Sequence, residues 1–330
     1  MFYLRNSILA TIIYYDIFDY PLTLIETYKY LINPARISRI SGGIGEIRPS
    51  DIATELDRLV NSGVTNQKNG FYFLNGRNNL YDLRMKRNKI ADQKWKKFLK
   101  LVRVLSLAPY LRGVFASGSM AINNTEEDSD FDVLIIARSG RLYTCRLFLW
   151  LISSLMGARR KKDQKVAPDK LCFNHYITDN HLHIPHESIF NAQTYANLKP
   201  VMISDDLIDN FYTSNLWLNN YVYNFHPQKD FVRRNVASSK FFKTLAGLLE
   251  IVFDFSIGNL TEKLLKKYQQ KLIAGNPITY KSGGRVVFTD SELEFHPQSF
   301  EKIVIGKYKE GLIRLGVISY TTERDSGLVC

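Results

Sequence analysis

The chain has 330 residues, 45% of them hydrophobic and 23% charged, which suits two or three well-cored domains and excludes a disordered chain. Its net charge of +12 invites a polyanionic partner: a nucleotide, a nucleic acid or an anionic surface. Cys145, Cys172 and Cys330 share no Cys-x-x-Cys or Cys/His spacing, which excludes a disulfide framework and fits a reducing cytoplasm.

Met1 to Tyr15 is apolar but interrupted by Arg5 and Asn6, and it runs into a periodic helix without a small-residue cleavage site, so no signal peptide is expected. Ile8 to Phe18 has helical spacing and ends before Asp19-Tyr20-Pro21. Thr23 can cap a helix from Leu24 to Ile32 that stops at Asn33-Pro34. After the Gly/Ser-rich connection Ser41 to Gly45, Ser50 is placed to cap Asp51 to Asn61, with Gly63 as the stop. Val64 to Leu74 reads as two strands about an Asn69-Gly70 turn. Three helices and a hairpin follow the order of a winged helix-turn-helix, so residues 1–76 resemble a winged-helix-like module in topology. Such a module suggests DNA binding. The third helix, however, carries Asp51, Glu55 and Asp57 against Arg58 alone, and a recognition helix approaches two phosphate backbones. Its acidity argues against sequence-specific DNA binding and for a packing or partner-docking module.

Residues 77–105 form a basic connecting segment, helical from Leu80 to Leu105. Ten Lys/Arg lie between Arg77 and Arg103 against Asp82 and Asp92, an excess of +8 that reads first as a solvated helix face. Val114-Phe115-Ala116 is then a short strand, broken at Ser117-Gly118-Ser119, and Asp130-Phe131-Asp132 leads into the apolar run Val133 to Ala137, typical of a strand covered on both faces. Gly118 lets backbone approach a phosphate without a Cβ clash, and Ser117 or Ser119 can add a hydroxyl. Asp130 and Asp132, two apart on an extended segment, project to one face. They repel unless a cation lies between them, and Mg²⁺ prefers such oxygen ligands.

This arrangement resembles the nucleotidyltransferase superfamily typified by DNA polymerase β: Gly-Ser, a spacer, then Asp-x-Asp at the start of a strand. Ten residues separate Ser119 from Asp130 here. The resemblance implies an α+β fold, with a mixed-sheet transferase core over 106–200 and a mostly helical domain over 201–330. It implies that Ser117, Gly118 and Ser119 bind a nucleoside triphosphate, and that Asp130 and Asp132 are catalytic and hold Mg²⁺ or Mn²⁺. The implied reaction moves a nucleoside monophosphate to an acceptor (a protein, small molecule or RNA end) and releases pyrophosphate. Members usually carry a third carboxylate on a later strand. The candidate strand, Lys170 to Thr178, has none; Asn174 or His175 stands in its place, and Asn can ligate a metal but cannot neutralise charge. Two alternatives therefore stay open: a catalytically weak nucleotide-binding or partner-docking protein, and a winged-helix DNA-binding regulator.

Leu142 to Met156 is the most apolar stretch, but it contains Arg146 and falls short of the ~20 residues of a membrane span, so a buried helix is expected. Arg159-Arg160-Lys161-Lys162 reads as a loop. His175, His181, His183 and His186 cluster; without a nearby carboxylate or Cys they read as strand-end surface histidines and not a zinc site. From Leu111 to about Phe225 the chain also looks like a bacterial group of the superfamily with no assigned substrate, through Phe190-Asn191-Ala192-Gln193, a Lys199-Pro200 stop and Asn215-Leu216-Trp217-Leu218. Gly284-Arg285-Val286-Val287 and Glu294-Phe295-His296-Pro297 are similar to that group's tail. Phe241 to Phe255 is an apolar helix candidate, and Leu260 to Leu272 an amphipathic one with a Lys-rich face.

Overall fold

The computed structural model describes residues 2–38, 44–161, 164, 166–227, 234, 236 and 239–318. Cys330, Lys162 and residues 41–43 of the Gly/Ser-rich connection lie outside them.

Helix α1 (Phe2–Asp16) is buried on almost every side, as a helix apolar all round must be. Strand β1 (Leu22–Thr23) leads into α2 (Leu24–Lys29), which Thr23 caps as its sequence predicts. The Thr23 hydroxyl accepts from the Glu26 amide at 3.2 Å, and the Glu26 carboxylate accepts the Thr23 amide at 2.9 Å, a reciprocal capping box. The helix ends before Ile32, and a short α3 (Pro34–Ser38) follows. Helix α4 (Pro49–Asn61) starts earlier than expected: Arg48 is the cap residue, Asp51 accepts its amide at 2.8 Å, and Ser50 lies inside the first turn. Proline at the first helical position explains the early start, since it has no amide to leave unpaired. Strands β2 (Thr65–Lys68) and β3 (Phe71–Leu74) turn through Asn69 and Gly70, both at positive φ as a tight hairpin needs. β1 adds a third strand, in the order β1-β3-β2.

Helix α5 (Leu80–Leu105) runs to β4 (Leu111–Ala116), the one-turn α6 (Gly118–Ala121), β5 (Phe131–Ala137), α7 (Leu142–Leu155) and β6 (Leu171–Thr178). Then come α8 (Ile189–Ala196), β7 (Lys199–Met202), α9 (Asp205–Thr213) and a 3₁₀ turn at Leu216–Asn220. The remainder is α10 (Lys240–Phe253), α11 (Ser256–Ala274), a 3₁₀ turn at Pro277–Tyr280, β8 (Arg285–Phe288), β9 (Glu292–His296) and α12 (Glu301–Arg314). Six strands form one mixed sheet in the order β7-β4-β5-β6-β9-β8, with β5 and β6 parallel and the other pairs antiparallel. The fold is therefore mixed α+β.

Two expectations change. Lys199-Pro200 begins an edge strand and is not simply a helix stop; the edge tolerates the proline that a central strand would not. The described residues of 201–330 are mostly helical, but the hairpin β8–β9 extends the central sheet, and α12 packs on α1, where a Cβ at Gly311 would lie 2.5 Å from Ile13. The apolar core divides by sheet face and not by sequence. Phe115, Leu134, Ile136 and Ile177 join one core with α1, α4, α8 and α12. Val114, Val133, Ile135 and Leu171 join the other with α5 and α7.

Candidate functional site

Alternation along β5 sets the site. Phe131 and Val133 point into the α5–α7 core, so Asp130 and Asp132 share the opposite face, as their spacing predicts. The turn after β4 closes on them. The Ser117 amide donates to the Asp132 carbonyl at 2.9 Å, tying the end of β4 to the start of β5. Gly118 then adopts φ +59°, and a Cβ there would lie 2.5 Å from Asp132 Oδ2. Glycine is required twice over, for the left-handed backbone and for contact with the carboxylate. Ser119 follows, and its carbonyl accepts the Asn124 amide at 2.8 Å, closing the turn onto the loop.

Asp132 is part-buried, with Asn174 Nδ2 donating to its Oδ1 at 2.9 Å. Asn174 reaches it because the β5–β6 register, which pairs Asp132 with Cys172, slips by one residue between Val133 and Leu134. An irregularity of this kind re-aims a side chain at the end of a strand. Burial, then the adjacent Asp130 charge, push the Asp132 carboxyl up to about 7, against a Cys172 hydrogen bond and the Arg160 charge. The Cys172 thiol is pushed up by burial and by the Asp132 and Asp130 charges, and stays protonated. Arg160 donates to Asp130 Oδ2. Oxygens of Asp130 and Asp132 and the Cys172 sulfur all lie within 4.8 Å of one another. The donor set fits one hard divalent cation on the two carboxylates; a protonated thiol is a poor ligand for it. Asn174, placed as a donor, would offer its oxygen to a cation only after its amide turned over.

The sequence reading of α5 as a solvated face holds for one side only. Arg84, Arg87 and Lys94 are buried. Arg87 donates to Asn124 Oδ1 at 3.2 Å and pairs with Glu126, while Lys94 donates to the Glu127 and Ser129 carbonyls at 2.8 Å each and to Asp169 at 2.9 Å. Trp95 Nε1 donates to Asn123 at 2.9 Å. Helix α5 thus clamps the loop that delivers Asp130. The N-terminal module grips the same loop: Tyr20 donates to the Ile122 carbonyl at 2.8 Å, and Asn124 to the Phe18 carbonyl at 2.9 Å.

Sequence reasoning missed Arg160, read only as part of a loop charge run. Lys199 pairs with Ala116 across the β4–β7 edge, one residue before the Ser117-Gly118 turn. Burial, then the neighbouring charges of Lys29 and Arg234, push Lys199 down to about 7. Ala116 and Val133, in register with it, face the α5–α7 core, so Lys199 lies on the sheet face opposite Asp132 and does not join the pair.

His175 does not join the site. Its ring contacts Glu292 at 3.0 Å and the Tyr195 hydroxyl at 3.1 Å, on the other side of β6 from Asn174. Glu294 beside it receives Arg285 Nε at 2.8 Å, and Arg285 reaches Glu301 at 3.1 Å and Asn191 at 3.4 Å. Segments scattered over a hundred residues of sequence meet here in one buried ionic hub. Arg285 is thereby committed, and the Lys281 to Arg285 turn offers no spare guanidinium. His181 and His183 are exposed, and no three-residue ligand cluster among the described residues includes them or His186. In comparison with known proteins, no family model, no curated protein and no solved structure matches this chain.

Proposed function

We propose that the chain is a metal-dependent nucleotidyltransferase, moving a nucleoside monophosphate from a nucleoside triphosphate to an acceptor. The observation that carries this reading is the glycine turn at positive φ pressed against Asp132, with Asp130 beside it. Asp130 and Asp132 would hold a divalent cation, Mg²⁺ or Mn²⁺, which when bound supplies the positive charge that a polyphosphate needs next to two carboxylates. Gly118 leaves room for the Asp132 carboxylate at the turn, between Ser117 and Ser119. Arg160, once a cation takes its place on Asp130, has a planar fork suited to phosphate. In the reaction an acceptor oxygen bonds to the α-phosphorus, the α–β bridging bond breaks, and pyrophosphate leaves with that electron pair.

A second reading is favoured by one observation. The position beside the pair is filled by Asn174 and a protonated Cys172, neither of which carries negative charge. A nucleotide-binding protein with little turnover is consistent with that set. Labelled ATP and CTP are titrated with Mg²⁺, and pyrophosphate release is measured over a panel of acceptors. Release that disappears in Asp130→Ala/Asp132→Ala supports the transferase. Mg²⁺-dependent binding without release assigns the site to nucleotide sensing, and no nucleotide binding at all overturns both readings.

A further inference from the structure

Helices α10 and α11 carry an apolar face outward. The side of α11 that meets the sheet layer mixes polar anchors with the core residue Ile273 and the partly buried Leu265. Glu262 accepts the Tyr143 and Thr144 amides at 2.8 Å each, at the start of α7, and Gln269 accepts from Arg146 at 2.6 Å. On α10, Glu250 receives both terminal nitrogens of Arg112 at 2.9 Å, and Asp254, just past its end, receives Arg138 at 2.8 Å. The apolar face meets solvent. On α10 it is Phe241, Leu245, Leu248 and Val252, at the helical spacing of one face and opposite the buried Ala246. On α11 it is Ile257, Leu260, Leu264 and Leu272, with Phe255 exposed at the corner. Phe241 is 70% exposed and Leu260 59%, in a region holding 11 of the 21 exposed large hydrophobics among the described residues. An apolar surface concentrated in this way marks an interaction site.

Charge identifies its occupant. The acids of the two helices, Glu250 and Glu262, are turned inward, whereas Lys263, Lys267 and Lys271 are exposed along the apolar stripe of α11 and Lys240 and Lys243 at the start of α10. A second copy docked on the same face would bring these lysines together without acidic counterparts. Among the described residues no helix is long and apolar enough to cross a membrane, so the fit is to a surface. An apolar stripe flanked by lysines is the pattern of a helix lying in a lipid interface, with side chains among the acyl chains and ammonium groups at anionic headgroups. We propose that α10 and α11 form a docking face for an anionic membrane surface. The proposal does not depend on what the Asp130/Asp132 site does.

The full chain is sedimented with vesicles of phosphatidylcholine alone or mixed with phosphatidylglycerol. Binding is expected to the anionic vesicles only, and to weaken as ionic strength rises from about 0.1 M to about 0.5 M. Leu260→Glu/Leu264→Glu, at exposed positions that leave the core untouched, is expected to lower vesicle affinity by more than about tenfold while circular dichroism and melting stay unchanged. Lys263→Gln/Lys267→Gln is expected to lose about fivefold per lysine. The proposal is overturned if anionic vesicles are not bound, or if the glutamate variant binds them as the wild type does. It is also overturned if sedimentation equilibrium shows a dimer that the glutamate variant dissolves, which would give the face to a second copy.

Discussion

Two clusters of ionisable side chains flank strand β6, and they are built on opposite rules. In the hub of His175, Glu292, Glu294, Arg285 and Glu301, the arginine is shared between two glutamates and every member has a partner at hydrogen-bond distance. At the other cluster, two part-exposed aspartates share one arginine, and Asp132 holds a carboxyl shifted to about 7. In the hub, burial raises Glu294, but the His175 charge and the Arg285 hydrogen bonds bring its carboxyl below the usual range. Each carboxylate there is hydrogen-bonded within the fold. The Asp130/Asp132 site is out of balance without something added from solvent, and that difference separates a structural ionic cluster from a candidate binding site. Identical residue types can therefore be told apart by how completely they are paired.

The largest test sets the two clusters against each other. Asp132→Ala is expected to remove Mg²⁺-dependent nucleotide binding, or to cut turnover about a thousandfold, with the melting temperature held or raised. Glu294→Ala is expected to do the reverse, costing about 2–3 kcal/mol of stability in urea titration because the buried Arg285 loses its hydrogen bonds to Glu294 and keeps only Glu301 and Asn191, with nucleotide binding per folded molecule unchanged. Loss of stability in the first variant and loss of binding alone in the second would abolish the distinction. A smaller effect is expected at the turn. Gly118→Ala places a Cβ 2.5 Å from Asp132 Oδ2 on a backbone at φ +59°, so the carboxylate must move. Stability should fall by about 1–2 kcal/mol and nucleotide affinity by about tenfold, read by calorimetry and titration on one sample. An unchanged affinity would show that the close contact does not position Asp132.

What was legible in the sequence follows from the range of each interaction. The helix over Leu80–Leu105, the Asn69-Gly70 hairpin and the Asp-x-Asp strand are written in local patterns, and each stands where its pattern places it. Gly118 and the aspartate pair were legible for the same reason. Arg160 was not, because the Arg159–Leu171 bridge brings it to Asp130 from thirty residues along the chain, and arginine is not distinctive in a chain with 44 Lys and Arg. The burial of Arg84, Arg87 and Lys94 also escaped pattern, since a cation turned inward looks in sequence like one turned outward. Their partners, Glu26, Glu126 and Asp169, come from three separate segments. Hydropathy could not place the hairpin β8–β9 in the central sheet, because its pairing with β6 spans more than a hundred residues.

The smallest effect is also the one that reads the imbalance directly. With its carboxyl at about 7 in the fold against about 3.8 unfolded, Asp132 keeps its proton more readily in the native state. Between those two values the native chain binds more protons than the unfolded one, so this group's contribution to stability is full below about pH 4, falls as pH rises, and is gone above about 7. Asp132→Asn should therefore match the wild type near pH 4 and exceed it by about 1–2 kcal/mol at pH 8, less than the whole shift because Arg160 shares the charge. A bound divalent cation reverses the sign: it displaces the proton, so Mn²⁺ affinity should climb toward pH 7 and level off above it. Chemical denaturation at the two pH values, with and without Mn²⁺, checks both arms. A wild type as stable as Asp132→Asn at pH 8 without metal would mean that Arg160 and Asn174 already balance the site, and that Asp132 belongs with the hub.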